Sequence, residues 1–450
     1  MNAPYSHRAV WRIAAPLILS NVTVPLLGMV DTAVVGHMDR PAYLAAVAVG
    51  AMVFGFLFTG FNFLRMGTTG LAAQRHGADD GDGLRALLVQ SLLVVVAISA
   101  VLIALQVPIA RLALRLLTPD PEVAALAADY FHVRIWAAPA VLANFALVGW
   151  FIGLGNGRIP LAIMLTVNVI NIALDLVFVL VFGWGVAGVA AASVIAEFSG
   201  LAMGLWLVAR MLRGWPGRLR RERVVEAAGL RRLLSVNSAL FVRTLSLMFA
   251  FGFLTAQGAR LGSTVLAANA VLLQFVYLLS YALDGFANAA EALVGRALGR
   301  RDLDGFRLAL RRSMQWTVGA ALVFSFAFAL AGVPLIHLLT GIDEVRELAR
   351  AHLPWMLIAP LVCLWPFLYD GVFVGATRAR EMRDTMLVAT FLVYVPAWYA
   401  LQGLGNHGLW AAFLLFMGVR GLGLHLWLAH LLRQGRWMDP DRQPARARPD

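Results

Sequence analysis

The chain of 450 residues contains no lysine, so arginine supplies every strongly basic side chain. Its one cysteine, Cys363, sits inside an apolar run, which excludes a disulfide framework. Charge is scarce as well. Only 14% of residues are charged and 60% are hydrophobic, whereas soluble domains average about 25% charged. A soluble two-domain protein, which the length alone would allow, fails for want of polar faces. No Walker loop is present, so there is no ATPase motor. A Gly-rich dinucleotide loop, a zinc-spaced His/Cys set and a G-x-S-x-G elbow are also missing, and no cofactor is expected. The short run Gly153-Leu154-Gly155-Asn156-Gly157 reads as a helix stop, too weak for a phosphate cradle.

What is present is a series of apolar runs, each long enough to cross a bilayer of about 30 Å as a helix. Twelve spans are expected: 10–36, 44–72, 86–110, 134–155, 160–182, 186–209, 234–258, 264–294, 314–338, 353–376, 384–402 and 406–432. The lipid bilayer is therefore the chain's solvent. The net charge of +12 does not imply nucleic acid, because the arginines gather between spans. Arg210, Arg213 and Arg218 to Arg232 fill one such loop, Arg296 to Arg312 another, and Arg378 to Arg383 a third. Most alternate loops are poorer, although Arg111, Arg115, Arg346 and Arg350 weaken the contrast. The positive-inside rule then puts both termini in the cytoplasm. The first span is too long for a cleaved signal peptide and has no small-residue cleavage site.

The two halves repeat at an offset of 222: Leu44-Ala45-Ala46 matches Leu266-Ala267-Ala268, Asp82-Gly83 matches Asp304-Gly305, and Gly153 matches Gly375. Six spans per half is an even number, so both halves enter from the same side and are related by a pseudo-twofold along the membrane normal. This gives an all-α polytopic membrane protein of two six-helix lobes, 1–209 and 234–432, joined by an Arg-rich cytoplasmic linker at 210–233. Residues 433–450 form a cytoplasmic tail that reads as disordered after Met438.

Against this apolar background the buried polar residues stand out. Asp31 closes the first span, after Pro16 and Pro25, each of which removes a backbone donor and favours a kink. An ionised Asp at the centre of a span costs about 2.5–3.5 kcal/mol on insertion scales, so such residues usually face a bundle interior. Asn168, Asn171 and Asp175 are spaced by three and four, which places them on one face of the fifth span. Ser193 in the sixth span falls at similar depth, and Asn144 in the fourth slightly deeper. Taken singly, the asparagines are interhelical glue and Ser193 marks close packing, while an interfacial Asp reaching headgroup water is the lesser of two readings of Asp31. Their shared depth favours a cation or proton site. The second half differs: Asp175 pairs with Ala397 and Ser193 with Leu415, while Arg243, Asp284, Glu291 and Asp370 lie toward the cytoplasm. Arg243 and Asp284, at comparable depth, read as a structural ion pair, with a substrate contact or gate as the functional alternative. Arg65, Glu197 and Arg420 could snorkel or pair.

Met29-Val30-Asp31-Thr32 closing helix 1, Asn171-x-x-x-Asp175 on helix 5, and Leu283-Asp284-Gly285-Phe286 followed by Ala289-Ala290-Glu291-Ala292-Leu293-Val294-Gly295 resemble the multidrug and toxic compound extrusion (MATE) family of the MOP superfamily, in its DinF-type branch. The resemblance covers roughly 10–432. It implies a monomeric inner-membrane antiporter that expels organic cations and lipophilic drugs against inward H⁺ or Na⁺. It also places the coupling site at Asp31, Asn171, Asp175 and Ser193, which replaces the family's Thr. Asp370 relates only loosely to a carboxylate of the NorM-type branch. Two rivals stay open. A lipid-linked sugar flippase would use Arg65, Arg243 and Arg420, and a membrane-embedded transferase would need clustered His or Asp that the chain lacks.

Overall fold

The computed structural model describes residues 5–36, 40–117 and 120–438. All regular structure among them is helical, as expected where lipid leaves each backbone N–H and C=O to be satisfied within its own segment. The order is α1 His7–Gly36, α2 Pro41–Gly60, α3 Phe63–Gly77, α4 Gly81–Ala104, α5 Gln106–Leu117, α6 Pro121–Arg134, α7 Ala138–Gly153, α8 Arg158–Asp175, α9 Gly185–Arg213 and the single turn α10 Arg221–Val224. Then follow α11 Ala227–Leu261, α12 Ser263–Gly299, α13 Leu303–Leu339, α14 Asp343–Gly375, α15 Ala379–Leu387, α16 Val395–Leu401 and α17 Asn406–Arg433. Eleven helical stretches among the described residues are long and apolar enough to span a membrane. α1, 30 residues long, is not among those eleven, and the count is consistent with the expected twelve. α1 runs unbroken through Pro16 and Pro25.

The chain divides into two compact units. One holds Ala15–Arg75 and Asp79–Leu233; the other holds Leu234–Asp450 together with Met1–Ala14 and His76–Ala78. Within the second unit the first turns of α1 are anchored by aromatic contacts: the Trp11 ring lies 5.4 Å from that of Phe286 and 5.0 Å from that of Trp316.

Each unit is built with the same devices, in the register the sequence repeat predicts. Asp80 caps α4 by accepting from the Gly83 N–H at 2.9 Å, and Asp302 caps α13 by accepting from Gly305 at 2.7 Å. The preceding residues, Asp79 and Arg301, both adopt the left-handed conformation, with φ of 54° and 55°. A Cβ on Gly149 would collide with the Arg65 carbonyl, and one on Gly371 with that of Ala287. One turn on, a Cβ on Gly153 would sit 2.6 Å from the Thr69 carbonyl oxygen, and one on Gly375 2.5 Å from that of Glu291. The same two small-residue crossings therefore bring α7 against α3 and α14 against α12.

The Arg-rich stretch after α9 is tied down within the first unit. Arg85 of α4 donates to the carbonyls of Leu212, Trp215 and Pro216 at 2.8, 2.9 and 2.9 Å, and Arg220 pairs with Asp82 at 2.8 Å. Near residue 438, Trp437 is buried, tilted against Phe306 and edge-on to Phe373 under the Arg378 guanidinium. The tail beyond Met438 lies outside the described residues.

Candidate functional site

In the first unit, α8 presents Asn168, Asn171 and Asp175 on one buried face; Asp175 is 0% exposed. Both asparagines are bonded to neighbouring helices. The Asn171 amide donates to Ser193 Oγ of α9 at 3.3 Å. The Asn168 amide donates to Thr23 Oγ1 of α1 at 3.0 Å, and that hydroxyl donates to the Ser20 carbonyl at 2.7 Å. α8 is thus bridged to α9 by one amide and to α1 by another, one turn apart. Immediately after Asp175 the α-helix gives way to a π-helical stretch, Leu176–Val181, and such irregularities concentrate at functional sites. Phe178, Phe182 and Trp184 close the end of the α8–α9 hairpin, with ring centroids 4.7–6.1 Å apart. That aromatic end fits a membrane–water interface.

Asp31 lies on the last turns of α1, eight residues beyond Thr23; its side chain, like that of Pro25, is outside the described residues. Asn144 of α7 joins a different partner. Its amide donates to the Glu197 carbonyl at 3.1 Å and to Glu197 Oε2 at 3.0 Å. Glu197 is four residues after Ser193, on the same face of α9. α9 therefore carries two polar levels a turn apart, one to α8 and one to α7. The sequence reading missed Thr23, an ordinary residue in an apolar run. The spacing of Ser193 and Glu197 was the available signal for the second level.

The second unit corrects one expectation. Arg243 of α11 meets Asp370 of α14, not Asp284. Depth along a span does not say which neighbour a side chain faces; that depends on helix rotation, which the packed structure fixes. Arg420 of α17 donates to the same oxygen, Asp370 Oδ2, at 2.9 Å. All three side chains are buried. Asp284 and Glu291 lie two turns apart on α12, and Glu291 is buried where Gly375 crosses its carbonyl. The position matching Asp175 is Ala397, but the stretch matching α8 contains its own π-helical segment, Val388–Tyr394. A further polar knot went unread in the sequence: Asn269 and Asn406 exchange amide bonds at 2.8 and 2.9 Å, and Trp410 Nε1 donates to Asn269 Oδ1 at 2.8 Å.

Two units built to one plan from membrane-length helices, with polar faces buried inside a bundle, define a polytopic membrane fold of the kind transporters use. The MatE family model matches residues 16–177 and again 239–399, once in each unit, and the chain belongs to that family. It is 43% identical to DNA damage-inducible protein F of Escherichia coli, over 96% of this chain and 94% of the relative. It is 25% identical to the multidrug resistance protein MdtK of Edwardsiella ictaluri, over 95% of this chain and 96% of that one. A solved MATE structure in its bent conformation shares the fold with a TM-score of 0.87 at 20% identity, over 95% of both chains.

Proposed function

We propose that the chain is a secondary active exporter of organic cations and lipophilic drugs in a bacterial inner membrane. Inward H⁺ or Na⁺ drives it, through Asp31 and Asp175. The observation that carries this reading is the wholly buried face of α8, where Asp175 follows two asparagines bonded to α1 and α9. The name of the Edwardsiella relative supports the substrate class. Burial penalises a bare carboxylate, so the site gains when a proton or Na⁺ neutralises it. With its counter-charge cancelled, a bound cationic drug is released outward. The ion then leaves to the cytoplasm as the protein turns inward, each charge gaining about 2.3 kcal/mol per 100 mV of membrane potential. Coupling requires that drug and ion bind the two states differently. The bond from Asn168 to Thr23 gives a route by which a change on α8 is felt on α1, a helix softened by the donors missing at Pro16 and Pro25.

The test is Asp31→Asn in proteoliposomes loaded with a fluorescent organic cation. The expected outcome is efflux that no longer responds to an imposed pH or Na⁺ gradient; wild-type, gradient-driven efflux in the variant removes Asp31 from the coupling site. Clamping one ion at a time in the wild type separates H⁺ from Na⁺. The flippase alternative needs a strongly cationic chamber for a pyrophosphate. Arg243 and Arg420 share a carboxylate, which leaves too little positive charge there for that ligand.

A further inference from the structure

Asp370 is asked to neutralise two guanidinium groups. Arg243 and Arg420 both donate to its Oδ2, so the cluster holds two positive charges and one negative. Exposures of 8%, 9% and 4% for Arg243, Asp370 and Arg420 place it in the interior of the second unit. A net charge held away from water is costly unless a counter-ion completes it.

The two arginines are not equally occupied. Arg420 bonds through Nη2 to Asp370 at 2.9 Å and through Nη1 to Met417 Sδ at 3.1 Å, and its guanidinium lies over the Phe416 ring at 5.4 Å. Arg243 bonds to Asp370 through Nη2, and its Nε is buried with no partner among the described residues. The guanidinium fork offers paired donors matched to an oxyanion, and one of those donors stands unused.

We propose that the unpartnered Nε edge of Arg243 is a binding site for the oxyanion group of an amphipathic molecule, a carboxylate, sulfonate or phosphate diester, which completes the charge balance of the Arg243–Asp370–Arg420 cluster. The carboxylate at 370 then serves the protein's own arginines, and the ligand that fits beside it is an acid or zwitterion rather than a metal cation. The site stands on the second unit alone. The exporter reading enters only in making a transported compound one source of the oxyanion, an anionic lipid headgroup being the other.

The experiment uses the full chain purified in neutral detergent and two fluorescent probes, norfloxacin and its methyl ester, which differ in one carboxylate. Wild-type protein should bind the acid about tenfold more tightly than the ester, the scale of a charge-assisted hydrogen bond. Arg243→Gln leaves the neutral Arg420–Asp370 pair intact; it should bring the ratio to about one with the ester's affinity unchanged, and Arg243→Lys should restore most of it. Equal affinities in the wild type, no saturable binding of the acid, or an unchanged ratio in a folded Arg243→Gln protein overturns the proposal. Phosphatidylglycerol added to the micelles should displace the acid if a lipid headgroup is the resident oxyanion, and leave it bound if the soluble acid is. Failure of ion-driven export of the ester would defeat the exporter reading while leaving the binding ratio untouched.

Discussion

At the scale of the residue, the pairs that hold α8 are the sharpest targets. Ser193→Ala removes the acceptor for the Asn171 amide in a buried place. Leaving a buried donor unsatisfied costs about 1–3 kcal/mol, so this variant should melt earlier in detergent and export more slowly. Ser193→Thr keeps the hydroxyl and should recover both. Thr23→Val and Asn168→Leu cut the same bond from opposite ends. Each should slow gradient-driven efflux, and the double variant should be no slower than the worse single one. Additive losses would show that the bond is not the shared cause. The α8 face was legible as a periodicity of three and four. Its partners were not, because hydroxyls such as Thr23 are common in apolar helices and only the packed neighbour makes one of them matter.

Among the elements, the repeated crossings and caps carry the stability. Gly149→Val and Gly371→Val place side-chain atoms where the carbonyls of Arg65 and Ala287 already stand. Forcing bulk into a packed crossing costs about 1–3 kcal/mol or more, and both variants should give low yields of monodisperse protein in size-exclusion chromatography. Asp302→Ala removes the cap of α13; a lost N-cap is worth about 1 kcal/mol, a modest drop in melting temperature without loss of transport. These devices were visible in the sequence as pairs of identical residues 222 apart. The shared left-handed backbone at Asp79 and Arg301 was not. Arginine does not announce a positive φ and Asp does so only weakly; the tight turn between consecutive helices imposes it.

For the whole molecule, the question is how charge and orientation serve transport. By the positive-inside rule, the arginine-rich stretches predict that the termini and the 210–233 segment are cytoplasmic. Reporter fusions at residue 183 and at the C-terminus should then be active on opposite sides of the membrane; activity on the same side would contradict the orientation. If the coupling ion carries its charge inward across the full potential, an imposed inside-negative potential of 100 mV should accelerate export, and a potassium–valinomycin clamp at zero should remove that gain. The Arg-rich segment does more than set orientation, because Arg85 and Asp82 bind it to α4. A sequence rich in one charge reads as a flexible connection until its backbone carbonyls are seen to be occupied.

The sequence by itself determined the solvent, the helical class, the internal repeat and the polar face of α8. Each of these follows from a local quantity: hydropathy over about 20 residues, spacing along a helix, or identity at a fixed offset. Tertiary structure alone decided which buried charges meet. Arg243 and Asp370 are 127 residues apart, and Asp370 and Arg420 fifty. Each side chain can face any neighbour until helix rotation and small-residue crossings fix its direction, so the partner of a buried charge is a property of the packed bundle and not of any segment of the chain.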